Sequence, residues 1–143
     1  MIILDTDILS IVLRDNSDMS LRIRARIAQL PADEKAATTI VTYDEQTRGW
    51  QVYLSKARTK SKLVFAYAML NKHLDDFRAV RVIPFDSAAA DRFEQLRRDH
   101  PRLGAMDLRI AAIALVRNAT LVTRNLVDFE KISGLHAEDW TKP

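Results

Sequence analysis

Short apolar runs alternate with longer amphipathic stretches along this chain. It opens on Met1-Ile2-Ile3-Leu4, an unbroken apolar run followed at once by Asp5-Thr6-Asp7. Such a run fits a strand buried on both faces of a parallel sheet. Ile8 to Leu13 reads as a short apolar helix, with Asp7 as its N-cap and its end near Arg14-Asp15-Asn16. A second helix covers residues 20–30, with Ile23, Ile27 and Leu30 on one face and Arg22 and Arg26 on another, until Pro31-Ala32-Asp33 breaks it. The β-branched run Ala37-Thr38-Thr39-Ile40-Val41 predicts the second strand. The helix after it places Tyr43, Thr47, Trp50, Leu54 and Ala57 at helical spacing. Beyond the basic connection Lys56 to Lys62, a further helix carries Leu63, Tyr67, Leu70, Leu74 and Phe77 in an a/d pattern. The pair predicts an antiparallel helical hairpin around residues 43–77.

Val80 to Pro84 reads as the third strand. Asp86 then caps a helix that turns Ala89, Phe93 and Leu96 inward, and Pro101 to Gly104 is a loop. From Asp107 to Asn118 the chain is apolar almost all round, which predicts a deeply buried helix. Thr120 to Thr123 is a fourth strand, Asn125 to Lys131 a short helix, and Leu135 to Trp140 an edge strand. Strands alternating with helices at these intervals define an α/β protein. The expected architecture is a single domain over residues 1–143, with a mainly parallel central sheet of four to five strands flanked by helices.

Composition narrows the chemistry. The chain has no cysteine, which excludes disulfides, zinc fingers and thiol catalysis and suits a reducing cytoplasm. Neither a signal peptide nor an apolar run of about 18 residues is present, so a cytoplasmic protein without a membrane partner is expected. His73, His100 and His136 are scattered and read as surface or packing residues, and three glycines are too few for a phosphate-cradling loop. The net charge is only +3, but the 22 lysines and arginines include clusters at Arg22-Arg24-Arg26, Lys56-Arg58-Lys60-Lys62 and Arg97-Arg98-Arg102. The ordinary reading of such clusters is a solvated face; the second one also suits phosphate steering.

The acidic residues are more informative. In a parallel sheet, residues just past the strand ends collect along one edge, where ligands of such sheets bind. Asp5 ends the first strand, Glu45 follows the second, and Asp128 follows the fourth; Asp107 starts the buried helix at the same edge. Carboxylates converging on one cleft cannot all ionise without a compensating cation. An oxygen-only donor set selects a hard ion, Mg²⁺ or Mn²⁺, able to polarise a phosphodiester. Each residue also has a structural reading. Glu45 lies three residues after Thr42, as in a capping box, and Asp128 three after Asn125. Asp107 complements a helix dipole. Arg48, one turn past Glu45, is the residue best placed to touch a scissile strand.

With these positions in hand the chain resembles a PIN domain, and within that family a VapC-type toxin ribonuclease. The resemblance is carried by Ile3-Leu4-Asp5-Thr6-Asp7-Ile8-Leu9, by Thr39-Ile40-Val41-Thr42 with Glu45 and Gly49, by Gly104 through Ala112, and by Leu121 through Phe129. It implies a Mg²⁺- or Mn²⁺-dependent endoribonuclease held inactive by a cognate antitoxin. Carried over by position, Asp5 and Asp107 are the metal ligands, Glu45 completes the acidic triad, and Asp128 is the fourth catalytic acid. Asn125 and Thr123 either share the role of Asp128 or, with Arg48, bind substrate. A homodimer is implied too, with residues 8–13 and the 43–77 hairpin supplying surplus apolar surface for contacts. Two other readings are open: a PIN-like module that binds nucleic acid or a partner without cutting, and a haloacid-dehalogenase-type phosphatase, whose D-x-D Asp5-Thr6-Asp7 imitates.

Overall fold

The computed structural model of the chain describes residues 1–14 and 16–143. The elements run β1 (Ile2–Leu4), α1 (Thr6–Arg14), α2 (Asp18–Ala28), β2 (Ala36–Thr39), α3 (Ile40–Lys56) and α4 (Lys60–Ala79). Then come β3 (Arg81–Ile83), α5 (Ser87–Asp99), α6 (Ala105–Val116), β4 (Thr120–Val122), α7 (Leu126–Phe129) and β5 (His136–Glu138). All five strands are parallel, in the order β3-β2-β1-β4-β5. The chain thus winds outward from β1 through β2 to β3, then returns to lay β4 on the other side of β1. That reversal makes the carboxyl ends of β1 and β4 a topological switch point. Asp5 stands there.

Period-two alternation in β1 sends its side chains to both layers. Ile3 packs with Ala37, Ile83, Leu121 and the α5–α6 pair, whereas Ile2 and Leu4 pack with Ile8, Leu9, Ile23, Phe77 and Trp140 on the opposite face. Leu108 and Ile110 through Ala114 on α6 are all buried, as its apolar circumference predicts. Asp86 caps α5 by accepting from the Ala89 amide at 2.9 Å, and β5 closes the sheet as its edge.

Several expected boundaries shift. Strand β1 turns straight into α1, so the helix starts at Thr6 and its first backbone bond runs from the Leu9 amide to the Asp5 carbonyl (2.9 Å). Asp5, not Asp7, occupies the capping position, and Asp7 is an exposed residue of the first turn. Asp15, expected near the end of that helix, lies outside the described residues. Strand β2 stops at Thr39, whose hydroxyl accepts from the Thr42 amide at 3.1 Å. Ile40 and Val41 therefore belong to α3. The capping-box reading of Glu45 fails with this, because Thr42 is inside the helix and Glu45 sits in its second turn.

Helix α4 also departs from the expected stripe. Ala66, His73 and Phe77 face inward, while Leu63, Tyr67 and Leu74 are 43%, 57% and 41% exposed. Apolar residues surround much of this helix, so their spacing alone does not select the buried side; the neighbouring rings do. His73 stacks on Tyr43 with centroids 5.1 Å apart, meets Phe77 edge-on, and hydrogen-bonds Thr47 at 2.8 Å. The helix of residues 8–13 contributes little exposed apolar surface, since Ile8 and Leu9 are fully buried.

The arginines of α2 are structural. Arg22 donates to the Thr141 carbonyl, Arg24 to the Val12 carbonyl, and Arg26 lies 4.3 Å over the Trp140 ring while pairing with Glu138. Arg22 and Arg26 bind the C-terminal tail against α2, and Arg24 ties α2 to α1, so the three do not form a free basic face. No helix of the described residues is long and apolar enough to cross a membrane.

Candidate active site

Asp5 leaves β1 with its carboxylate held at both oxygens. The Thr6 amide donates to Oδ1 at 2.8 Å, and the Thr123 hydroxyl donates to Oδ2 at 2.8 Å. Thr123 itself is placed by β5 (its amide reaches the Glu138 carbonyl at 2.9 Å), and its hydroxyl accepts from the Asn125 amide at 3.0 Å. Asp5 is only 8% exposed, and burial pushes its carboxyl above the usual range despite these two donors. A buried carboxylate with fixed orientation and no ion-pair partner among the described residues is costly unless something cationic joins it.

Glu45 reaches the same place from α3. Its Oε1 accepts the Thr6 hydroxyl at 2.9 Å, and Thr6 also shares a contact with the Thr42 hydroxyl at 3.1 Å. Its carboxyl too is raised, first by burial and then, against the Thr6 bond, by the charge of Asp5. Asp107, in the first turn of α6, is pushed up to about 6. Burial is the leading cause, followed by repulsion from Asp5, Glu45, Asp128 and Asp7. Four acidic residues from separate elements thus press on Asp107 with one sign of charge.

Asp128 stands at the rim. Its Oδ2 accepts from Asn125 Nδ2 at 3.0 Å, and its Oδ1 lies 3.6 Å from Lys131 Nζ, so part of its charge is already answered. Asn125 occupies the N-cap position of α7 without a side-chain capping bond. Thr123, one of the residues expected at substrate, is fully buried with its hydroxyl committed to Asp5; its geometry is that of a support for Asp5. Arg48 is exposed and paired with Asp44 at 2.8 Å. Asp7 makes no hydrogen bond with Asp5 or Glu45 among the described residues and acts on them through charge alone.

Sequence reasoning passed over Thr6 and Thr42, which tie β1 to α3 through Glu45. Their signal was a threonine at or within two residues of three strand ends, at Thr6, Thr39 and Thr123. A hydroxyl there donates to a neighbouring carboxylate without adding charge.

Among the described residues no three acidic, histidine or cysteine side chains close into a finished metal cage. The donor chemistry nevertheless fits a hard divalent cation: Asp5, Glu45 and Asp107 offer only oxygen, repel one another, and have no cationic partner among the described residues.

A parallel sheet in the order 3-2-1-4-5, with carboxylates gathered at its switch point, describes a class of α/β nuclease-like domain. The chain belongs to the PIN domain family, whose model matches residues 2–135. It is 36% identical over 66 residues to the tRNA(fMet)-specific endonuclease VapC of Shigella flexneri, a match covering 43% of this chain and 50% of that relative. It is 25% identical over 143 residues to Ribonuclease VapC1 of Haemophilus influenzae, covering 97% of each. Among solved structures, VapBC2 from Rickettsia felis bound to a DNA fragment from its promoter contains a chain with a TM-score of 0.72 and 26% identity, over 98% of this chain and 99% of that one. Dependence on a divalent metal is general to nucleases of this family. The family assignment leaves no place for the haloacid-dehalogenase reading.

Proposed function

We propose that the chain is a Mg²⁺- or Mn²⁺-dependent endoribonuclease, the toxin of a toxin–antitoxin pair acting in the cytoplasm, with Asp5 and Asp107 as metal ligands. Glu45 completes the acidic set, and Asp128 with Asn125 forms its outer edge. The observation that carries this reading is the convergence of Asp5, Glu45 and Asp107 from separate elements with no cationic partner among the described residues, which leaves Asp107 pushed up to about 6, first by burial and then by the charge of Asp5, Glu45 and Asp128. Relatives named as ribonucleases support the reaction, and complexes of related chains with antitoxins support the partner.

When bound, the cation supplies charge neutralisation and Lewis acidity toward a phosphodiester. The chain's own residues do the rest. Asp5, clamped by the Thr6 amide and Thr123 hydroxyl, keeps its lone pairs aimed at one place through turnover. Glu45 is held at Oε1 by Thr6, leaving Oε2 to accept a proton from an attacking water. Arg48, exposed one turn past Glu45 on α3, is the residue offered to the negative strand, exchanging Asp44 for phosphate.

A homodimer fits the exposed apolar surface of α4, where Val64, Phe65 and Tyr67 are 62%, 46% and 57% exposed. The test is cleavage of end-labelled RNA, initiator tRNA included, with Mg²⁺, Mn²⁺ or EDTA, by the wild-type chain and Asp5→Asn. Metal-dependent cutting by the wild type alone supports the reading. Equal cutting by both proteins removes its basis.

A further inference from the structure

Next to the acidic cleft lies a recess of about 250 Å³ lined by Arg14, Gln46, Gly49, Trp50 and Tyr53. Its four α3 residues stand one, four, five and eight positions beyond Glu45. At about 1.5 Å per residue the recess begins within one helical turn of Glu45 and ends roughly 12 Å along the same helix. Gln46 is only 8% exposed; its Nε2 donates to Ser10 Oγ at 2.8 Å, but Oε1 is buried with no partner among the described residues. A buried acceptor without a partner is costly, and because Gln46 lines the recess, a small turn of its amide toward a donor held there would remove the cost. Trp50 carries the Arg14 guanidinium over its ring at 5.2 Å and meets Tyr53 edge-on at 6.0 Å. Gly49 is a further sign. A Cβ there would touch nothing within 4 Å, so packing does not require glycine in the middle of a helix it weakens. The missing side chain leaves the floor of the recess open.

The geometry points to a nucleobase subsite: one base of a single-stranded RNA segment beside the scissile phosphate packs against the rings of Trp50 and Tyr53, with the Arg14 guanidinium at its border, and Gln46 accepts an N–H from its edge. Two ring faces, a planar cation and an unpaired acceptor are the groups that hold unpaired bases. Among the described residues no aliphatic side chain and no carboxylate lines the recess, whose rings and guanidinium suit a planar base better than an apolar peptide segment. Beyond Tyr53, α3 ends at the basic run Lys56, Arg58, Lys60 and Lys62, which carries positive charge along the line a backbone would follow. Gln46, Trp50 and Arg14 thereby choose the base while Asp5, Glu45 and Asp107 act on the phosphate. The inference rests on the endoribonuclease reading for its placement next to a scissile bond.

The test uses fluorescein-labelled A8, C8 and U8 RNA, with binding read by anisotropy in the Asp5→Asn background so that the probe stays intact. Trp50→Ala weakens binding of the preferred probe about tenfold, the size expected for one stacked base, and Trp50→Phe restores most of it. Gly49→Leu fills the recess; it weakens binding similarly while leaving the melting temperature equal or higher, which separates a blocked site from a damaged fold. With an active nuclease domain the same changes fall on KM rather than on kcat. Trp50-dependent RNA binding in a chain that never cleaves supports the subsite and removes the nuclease reading instead. Unchanged RNA affinity in both Trp50→Ala and Gly49→Leu overturns the subsite. So does a loss confined to antitoxin binding, which would give the recess to a protein segment.

Discussion

Replacing Asp107 by asparagine should stabilise the metal-free protein at neutral pH while removing its activity. The side chain keeps its shape and its place in the first turn of α6, and only the charge goes. Burial and four like charges hold the Asp107 carboxyl at about 6 against an ordinary 3.8. The penalty of ionising it in the fold is therefore complete well above pH 6, shrinks as pH falls from 6 toward 3.8, and is gone only below 3.8, where folded and unfolded chains are both protonated at this site. Each pKa unit corresponds to about 1.4 kcal/mol, so the full shift would be worth roughly 3 kcal/mol. Half of that, about 1.5 kcal/mol, is the better expectation, because the residue is half-buried and solvent screens part of the repulsion. In a domain of this size that is a rise in melting temperature of about 5 °C. The assay is thermal unfolding of both proteins in EDTA at pH 7.5 and pH 4.5, repeated at pH 7.5 with saturating Mg²⁺. The gain should appear at pH 7.5 in EDTA, shrink to about a third at pH 4.5, and reverse at pH 7.5 with Mg²⁺, which stabilises only the chain that binds it. An asparagine variant no more stable than wild type in EDTA at pH 7.5 would refute the account of a repulsive cleft.

Other outcomes follow from particular contacts. Thr123→Val removes the hydroxyl that answers Asp5 Oδ2 and should cost about 2 kcal/mol at pH 7.5, seen as a lower urea midpoint with an unchanged slope; the loss should shrink in acid as Asp5 protonates. Thr6→Val frees Glu45 from its only hydrogen-bond donor among the described residues, and RNA cleavage should slow about tenfold, with a melting temperature changed by no more than a few degrees. Trp140→Ala should cost about 3–5 kcal/mol although it lies beyond the residues matched by the family model, because its ring is 3% exposed beneath Arg26; a change under 1 kcal/mol would mean the tail is not part of the core.

The fold was legible where the pattern left one solution. An apolar β1 without alternation, an α6 apolar on every side, and the Asp86 cap of α5 each admit few placements, so the α/β class and the order of elements followed from them. The acidic residues were legible for a related reason: in a parallel sheet, position after a strand end already implies the edge of the sheet. Ranges were less secure where propensity and tertiary context disagree. Thr39, Ile40 and Val41 favour strand locally, yet the Thr39 hydroxyl caps α3 and draws the next two residues into the helix.

What the one-dimensional pattern could not contain is the set of pairings between distant residues. That Thr123 holds Asp5 across 118 positions, and Thr6 holds Glu45 across 39, depends on β4 and α3 flanking the same strand end. Local spacing carries no record of that adjacency. The α2 arginines are alike: as a cluster they suggested a solvated face, and only the return of Trp140 and Thr141 to their side makes them a clamp. The side of α4 that is buried was also settled in three dimensions, since residues apolar all round a helix leave the choice to whichever rings meet it. Amino-acid order determined which groups carry charge and which stretches are strand or helix. Packing decided which of those groups face one another, and so which carboxylate is supported, which is repelled, and which is left for a cation.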